Sequence, residues 1–291
     1  MQFDGILRRA WPSSHRYSNH SKTVLLESVT VKQLLKRLFE QTGYTTSRKR
    51  TASSQHIAGS AGAYDQDGLR SVHNHDFMTD KLFSKAYDRG CAADSDHRIH
   101  WRIHIGLWAA ITASTLEGDF VECGVNRGFL SSAIMDFLDW NSMDKTFYLL
   151  DTFAGLSPAQ ASVAELEKGE LMAAKGYYCN DVDSIKRKFS QWHNVRIIQG
   201  TVPQTLDQVD TQKVAYLHLD MNCAKPEAAA IEFFWNRLVA GAVVLMDDYA
   251  YRGYEPQKHA LDQFASQRGF LIASLPTGQG LLLKPPIGRE R

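Results

Sequence analysis

Apolar residues change their spacing repeatedly along this chain, and the changes mark out its elements. Short apolar runs at 120–121, 146–150, 195–198, 214–219 and 242–246 have the length of buried strands. Between them, 130–138, 183–192, 226–238 and 256–268 carry apolar residues at helical spacing, and 206–209 is a short helical piece. Two further runs, 270–273 and 281–283, flank Pro276-Thr277-Gly278-Gln279-Gly280, a hairpin signal. Strands alternating with helices predict an α/β fold: a doubly wound, mostly parallel seven-stranded sheet with helices on both faces and an antiparallel last strand.

The pattern upstream is weaker. Residues 1–22 mix Ser, His and Arg with scattered aromatics and predict little order. Over 29–41, Val31, Leu34, Leu35, Leu38 and Phe39 recur at helical spacing opposite Lys32, Lys36 and Arg37, and Ser47-Arg48-Lys49-Arg50 follows. A basic amphipathic helix can touch anionic lipid or nucleic acid. The plainer expectation is packing on the domain or on a partner subunit. Residues 51–75, rich in Ser, Gly, Ala and His, read as a linker. The expected division is a basic, helical and partly disordered extension at 1–75 ahead of a domain at 76–291. Early in that domain, Thr79 or Asp80 caps a helix over 82–88. A second helix, 99–116, lays Trp101, Ile105, Trp108, Ala109 and Thr112 along one face and is stopped by Gly118.

Composition acts mainly by exclusion. With 291 residues, 44% of them hydrophobic, the chain can bury one large core. A net charge of +1 gives no global pull toward nucleic acid or a membrane surface. Cys91, Cys123, Cys179 and Cys223 have no metal-ligand spacing and read as free thiols of a reducing compartment. No apolar run approaches the roughly 20 residues of a membrane span, and no signal-peptide pattern opens the sequence. The expectation is a soluble, cytoplasmic homo-oligomer with no nucleic-acid partner. His73, His75, His97, His100 and His104 lack acidic or cysteine partners at ligand spacing, so they read as surface or capping histidines.

The chemistry collects at the strand ends. Gly118 to Gly128 reads as strand, glycine turn and helix start, the opening of a nucleotide-binding α/β unit whose free N–H groups suit a polar ligand. Asp151 ends the second strand; such an acid accepts hydrogen bonds from both hydroxyls of a ribose, or simply caps a turn. Gly200 follows the third strand, Asp220 the fourth, and Asp247-Asp248 the fifth. Ligands of such sheets sit beyond these ends, near the switch in strand order. Three crowded carboxylates raise one another's pKa unless a cation sits among them, and oxygen ligands suit Mg²⁺, which lowers the pKa of a bound hydroxyl. The mixed segment at 157–178 reads as a lid over the sheet.

The motifs Val121-Glu122-Cys123-Gly124-Val125-Asn126-Arg127-Gly128, Leu149-Leu150-Asp151-Thr152-Phe153-Ala154-Gly155-Leu156, His218-Leu219-Asp220 and Val244-Leu245-Met246-Asp247-Asp248-Tyr249 resemble the macrocin O-methyltransferase (TylF-like) family. The likeness runs from about Phe77 to Pro285. It implies a class I, Rossmann-like methyltransferase that uses S-adenosylmethionine and Mg²⁺ to methylate a hydroxyl of a sugar or other natural product. By position, Glu122, Cys123, Gly124, Asn126, Arg127 and Gly128 match the loop that holds the methionine part of the cofactor. Asp151 resembles the ribose-binding acid, Gln199 and Gly200 lie where the adenine is held, and Met78 and Thr79 resemble a segment folding over the cofactor. Asp220, Asp247 and Asp248 match the Mg²⁺ ligands.

The chain departs from the family after Asp220, where Asn222, Cys223 and Glu227 replace an acid, an apolar residue and a threonine. Metal binding by Asp220 survives that change, whereas substrate contacts there are altered. The general base is open among Lys225, His259 and Tyr177, and Asp220 counts as catalytic through the ion it would hold. Two rival readings are a nicotinamide-dependent oxidoreductase and a non-catalytic binding protein that keeps the fold. The spacing Gly124-x-x-x-Gly128 fits the dinucleotide pattern poorly.

Overall fold

The computed structural model describes residues 63–286, and its first element lies where composition suggested a linker. Strands β1 (Tyr64–Gln66) and β2 (Leu69–Ser71) form an antiparallel hairpin. Its two-residue turn is Asp67-Gly68, both with positive φ, a preferred chemistry for a tight hairpin. Tyr64 is buried, and its hydroxyl donates to the Arg98 carbonyl at 3.3 Å. The expected helix at 29–41, the basic cluster at 47–50 and the ordering of 1–22 lie outside the described residues.

Two helices follow, α1 (Lys81–Ala93) and α2 (His100–Ser114). Asp80 caps α1, its carboxylate accepting from the Leu82 and Phe83 amides at 2.9 Å. The buried face of α2 differs from the aromatic stripe expected for it. Ile103, Gly106, Leu107, Ala109, Ala110 and Ala113 face inward, and Trp108 is 41% exposed. Small residues win that face because α2 packs close: a Cβ on Gly106 would lie 2.6 Å from Leu130.

The sheet follows in the predicted alternation: β3 (Asp119–Cys123), α3 (Phe129–Phe137), β4 (Phe147–Asp151), α4 (Val163–Ala174), α5 (Val182–Phe189), β5 (Val195–Gln199), β6 (Val214–Leu219), α6 (Ala224–Phe234), β7 (Leu238–Met246), α7 (Glu255–Gln267), β8 (Ala273–Ser274) and β9 (Gly280–Leu283). Its order is β5-β4-β3-β6-β7-β9-β8. The first five strands of that order run parallel, and β9 is antiparallel to both β7 and β8. From β3 the chain winds outward through β4 and β5, then returns to place β6 on the other side of β3. That reversal opens a crevice at the carboxyl ends of β3 and β6.

Strand alternation sends successive side chains to two cores. Val121 and Cys123 join Leu217, Leu219, Val244 and the inner faces of α6 and α7. Phe120 joins Phe147, Tyr216 and Trp140 under α2 and α3, with ring centroids 5.0–6.3 Å apart. Each such buried aromatic contributes about 1.5–3 kcal/mol through the apolar surface it removes from water. No helix among the described residues is long and apolar enough to cross a membrane.

Candidate functional site

The parallel strands deliver their final residues to one rim, where a cavity of about 300 Å³ opens, walled by Gly124, Asp151, Gly200, Asp220, Asp247 and Asp248 among others. A smaller space of about 90 Å³ reaches down to Glu122 and His218. Arg102, Gly124, Asn126, Tyr177, Asp220 and Asp247 form walls of both.

Gly124 makes the crevice possible. It has φ +94°, and a Cβ there would lie 1.9 Å from the Asp220 carbonyl oxygen. Only glycine lets the turn after β3 pass so close to the end of β6. The turn is then fixed by Asp151. Its Oδ2 accepts from the Val125 and Asn126 amides at 2.8 Å each, and its Oδ1 accepts from the Phe153 amide at 2.7 Å. Asp151 thus lines the cavity as a turn-holding carboxylate. Gly128 (φ +78°) is the N-cap of α3, seated on the Phe189 ring.

Glu122 faces the α2–α3 side of the sheet, opposite His218 in the β3–β6 register. Its Oε1 pairs with His218 Nδ1 at 2.9 Å, while Glu122 Oε2 and His218 Nε2 are buried without a hydrogen-bond partner. Two orphaned polar atoms beside a cavity are costly unless a ligand supplies their partners.

The segment at 157–178 covers the rim as expected and contains α4. Ser162 and Glu165 form a capping box at its start. Glu165 also reaches across: its Oε1 accepts from the Ala224 amide at 2.8 Å, capping α6, whose own N-cap Cys223 provides no side-chain bond. Lys168 donates to the Gly253 carbonyl at 3.2 Å and sits over the Tyr254 ring. Asn126 fastens the lid to the glycine turn, donating to the Tyr177 carbonyl at 3.1 Å and accepting from the Cys179 amide at 2.7 Å. Arg127 donates to the Gly176 carbonyl at 2.9 Å. The side chains of Asn126 and Arg127, expected at the cofactor, bind lid backbone, while both residues still line the smaller space and Asn126 also lines the larger cavity.

Several expected site residues stand elsewhere. Met78 and Thr79 lie in a 3₁₀ turn (Asp76–Thr79) beside α1; Thr79 donates to the Asp76 carbonyl, Met78 packs into the α1–α3 core, and neither lines either of these two spaces. The Cys123 side chain points into the opposite core, because alternation gives the cavity side to Glu122. Gln199 is exposed, and it is Gly200 and Thr201 that reach the cavity wall. Lys225 and His259 are exposed on α6 and α7 and line neither cavity. Tyr177 does reach the cavity. Of the histidines expected at the surface or as caps, three are half-buried: His97 pairs with Asp94, His100 with Gln66, and His104 stacks on Phe77.

The rim is acidic and poorly solvated. Burial first, and then Asp247 and Asp248, raise the Asp220 carboxyl well above the usual carboxylate range. Asp248 is pushed up to about 7 by burial and then by Asp247, with Arg102 and Lys168 pulling the other way. Glu227 is pushed up to about 8, chiefly by burial. It occupies the position of the family's threonine and accepts from the Met221 amide at 3.1 Å, which holds the turn after β6. Asn222, in place of an acid, has φ +55° and lies 3.5 Å from Asp220 Oδ1.

The expected Mg²⁺ ligands Asp220, Asp247 and Asp248 meet at this rim, but the donor set does not fit the ion. Both Asp247 oxygens are already engaged, leaving one acceptor site on each: Oδ2 accepts from Arg102 Nη1, and Oδ1 accepts from Gln279 Nε2 at 3.0 Å. A divalent ion roughly 4 Å from that guanidinium would meet a repulsion on the order of 8 kcal/mol at an effective dielectric of about 20, which offsets part of the attraction of the carboxylates around it. Among the described residues no three His, Cys, Asp or Glu side chains are grouped so as to hold a metal. The composition of the cavity does fit a cationic sulfonium ligand: buried carboxylates below, the orphaned Glu122 Oε2 at one end, and Tyr177, Tyr178 and Tyr254 above.

The chain is similar to known proteins. The family model described as macrocin-O-methyltransferase (TylF) matches residues 103–273, more than half the chain. A curated Streptomyces olivaceus protein, 8-demethyl-8-(2,3-dimethoxy-alpha-L-rhamnosyl)-tetracenomycin-C 4'-O-methyltransferase, is 25% identical over 146 residues. That match covers 48% of this chain and 56% of the relative, so the chain spans about half the length of the curated relative it matches. The solved O-methyltransferase NovP superposes with a TM-score of 0.54 at 19% identity, over 63% of this chain and 79% of that one, a likeness of fold.

Proposed function

This chain belongs to the macrocin-O-methyltransferase (TylF) family, and from that premise we propose that it transfers a methyl group from S-adenosylmethionine to a hydroxyl of a sugar or other natural-product small molecule. The observation carrying this reading is the single cavity shared by the glycine turn, Asp151 and Asp220 at the switch between β3 and β6. Glu122 and Gly124 would hold the methionine part, Asp151 the ribose, and Gly200 with Thr201 the adenine side.

When bound, the sulfonium supplies an already activated methyl group. The chain's own residues then have three tasks. The glycine turn and the Asp220 rim fix the donor's place, so that an acceptor oxygen arrives in line at contact distance. The lid, clamped through Glu165, Lys168 and Asn126, keeps water out and offers Met172, Tyr177, Tyr178 and Tyr254 to an acceptor with apolar faces. The acceptor's proton passes to the buried carboxylate pair Asp220 and Asp248. Asp248, near 7, is matched to accept a proton at neutral pH. The substrate class draws support from the curated relative, which acts on a rhamnosylated tetracenomycin.

Calorimetry of the purified protein with S-adenosylmethionine and with NAD⁺ tests this reading. Binding of the first and not the second is expected; the reverse result would overturn it.

A further inference from the structure

Arg102 stands in the first turn of α2 with its side chain 15% exposed. Its Nε and Nη2 fork onto Asp67 in the β1–β2 turn, at 2.9 Å and 3.4 Å, and its Nη1 donates to Asp247. The guanidinium also lies 5.3 Å from the centre of the Tyr251 ring, whose hydroxyl donates to Asp67 Oδ1 at 3.1 Å. Hairpin, helix and rim therefore hold one positive charge from three sides. An arginine so fixed cannot lose its proton and cannot be removed by a chelator.

We propose that Arg102 is the built-in cation of this rim, holding the place of a divalent ion on Asp247, so that methyl transfer in this protein runs without bound Mg²⁺. That Mg²⁺ is dispensable rests on the methyltransferase reading, whereas the place of the cation rests on the contacts of Arg102 alone. The geometry carries both halves of the exchange. Asp247 accepts from Arg102 on one oxygen and from Gln279 on the other, so an ion there would have to share both oxygens with donors already in place. Gln279 is itself fully buried and held by the Thr277 hydroxyl at 3.0 Å, so this side of the clamp is as fixed as the arginine. The guanidinium also faces Asp248 and Asp220 across the cavity and offsets part of their charge. Unlike a metal ion, it offers no open coordination position to an acceptor oxygen. Deprotonation then falls to carboxylates that no metal occupies.

The test titrates the full-length protein with Mn²⁺, following loss of the free-ion EPR signal, beside calorimetry of S-adenosylmethionine with and without EDTA. The expected result is no stoichiometric Mn²⁺ uptake by the native protein and cofactor binding unchanged by EDTA. Arg102→Gln, shown to be folded by circular dichroism, is expected to take up one Mn²⁺ per chain at least tenfold more tightly than the native protein, and Asp247→Asn in that background abolishes the uptake. One tightly bound Mn²⁺ in the native protein, lost in Asp247→Asn, overturns the proposal, and so does a folded Arg102→Gln that takes up none. Should Arg102→Gln fail to fold, the native titration decides. Absence of cofactor binding overturns the methyltransferase reading and with it metal-free transfer, while the Mn²⁺ titration still judges the role of Arg102.

Discussion

Replacing Gly124 by alanine tests the contact on which the crevice depends. A Cβ at this position lies 1.9 Å from the Asp220 carbonyl oxygen, 2.4 Å from its carbon and 3.0 Å from the Met221 nitrogen. Carbon and oxygen settle near 3.3–3.6 Å even in favourable C–H contacts, so the ends of β3 and β6 must separate by over about 1 Å. Two backbone hydrogen bonds lie at that point, Asp220 N to Cys123 O and Gly124 N to Leu150 O, each 2.8 Å. Losing both costs about 2 kcal/mol, and the left-handed backbone adds about 1–2 kcal/mol for any residue with a Cβ. The expected loss is about 3–4 kcal/mol. Gly176 supplies the control: its φ is +71°, with nothing within 4 Å of a built Cβ, so Gly176→Ala carries the backbone penalty alone. Urea unfolding of both variants, compared at equal m, reads the difference directly. Calorimetry with S-adenosylmethionine then reports whether the crevice still binds. If Gly124→Ala shifts the midpoint no further than Gly176→Ala, the close approach of the strand ends is not what this glycine is for.

Other perturbations probe the rest of the site. Asp151→Asn leaves one acceptor oxygen for three main-chain N–H groups, so about 2–3 kcal/mol of stability and at least tenfold in cofactor affinity should be lost; an unchanged urea midpoint would contradict the turn-holding role. Glu227 carries a folded pKa raised to about 8 from 4.5 by burial first and then by Asp248. The native state therefore binds the extra proton between those values, and this group's contribution to stability falls as pH rises from about 4.5 to about 8. Glu227→Gln should match the native protein near pH 4 and melt at a higher temperature near pH 9; parallel melting curves at both pH values would count against it. Glu165→Ala removes the cap shared by α4 and α6, so hydrogen exchange over 157–178 should quicken while global stability falls by about 1 kcal/mol, and unaltered exchange would mean the lid is held by other contacts. Lys225→Ala and His259→Ala, both at exposed positions outside the cavities, should keep turnover within about twofold and stability within about 0.5 kcal/mol; a tenfold loss of turnover in either variant would restore it as a candidate base.

Where the structure departs from the local pattern, packing is mostly the reason. The Asp67-Gly68 turn is an exception, a local hairpin signal set within Ser- and Gly-rich surroundings. The stripe through Trp108 followed hydrophobicity, whereas α2 required small residues where it approaches Leu130. Lys225 and His259 have suitable chemistry on helices whose orientation turns them to solvent. Nothing local distinguishes Arg102 from any arginine on a helix. Its partner Asp247 is 145 positions away, and only packing brings them together.

What the chain determines by itself is periodic and local. Strand and helix alternate because apolar spacing alternates, and the polar groups gather at one rim because parallel strands end on the same side. The glycine turn is signalled locally by Gly124 and Gly128, whose positive φ favours glycine. Folding decides which of those polar groups remain available. Asp151 is engaged by the loop it supports, Asn126 by the lid, and Asp247 by an arginine and a glutamine, while Glu122 keeps an oxygen free. A side chain's chemistry is written in its type, but its freedom to use that chemistry depends on neighbours that arrive from distant parts of the chain.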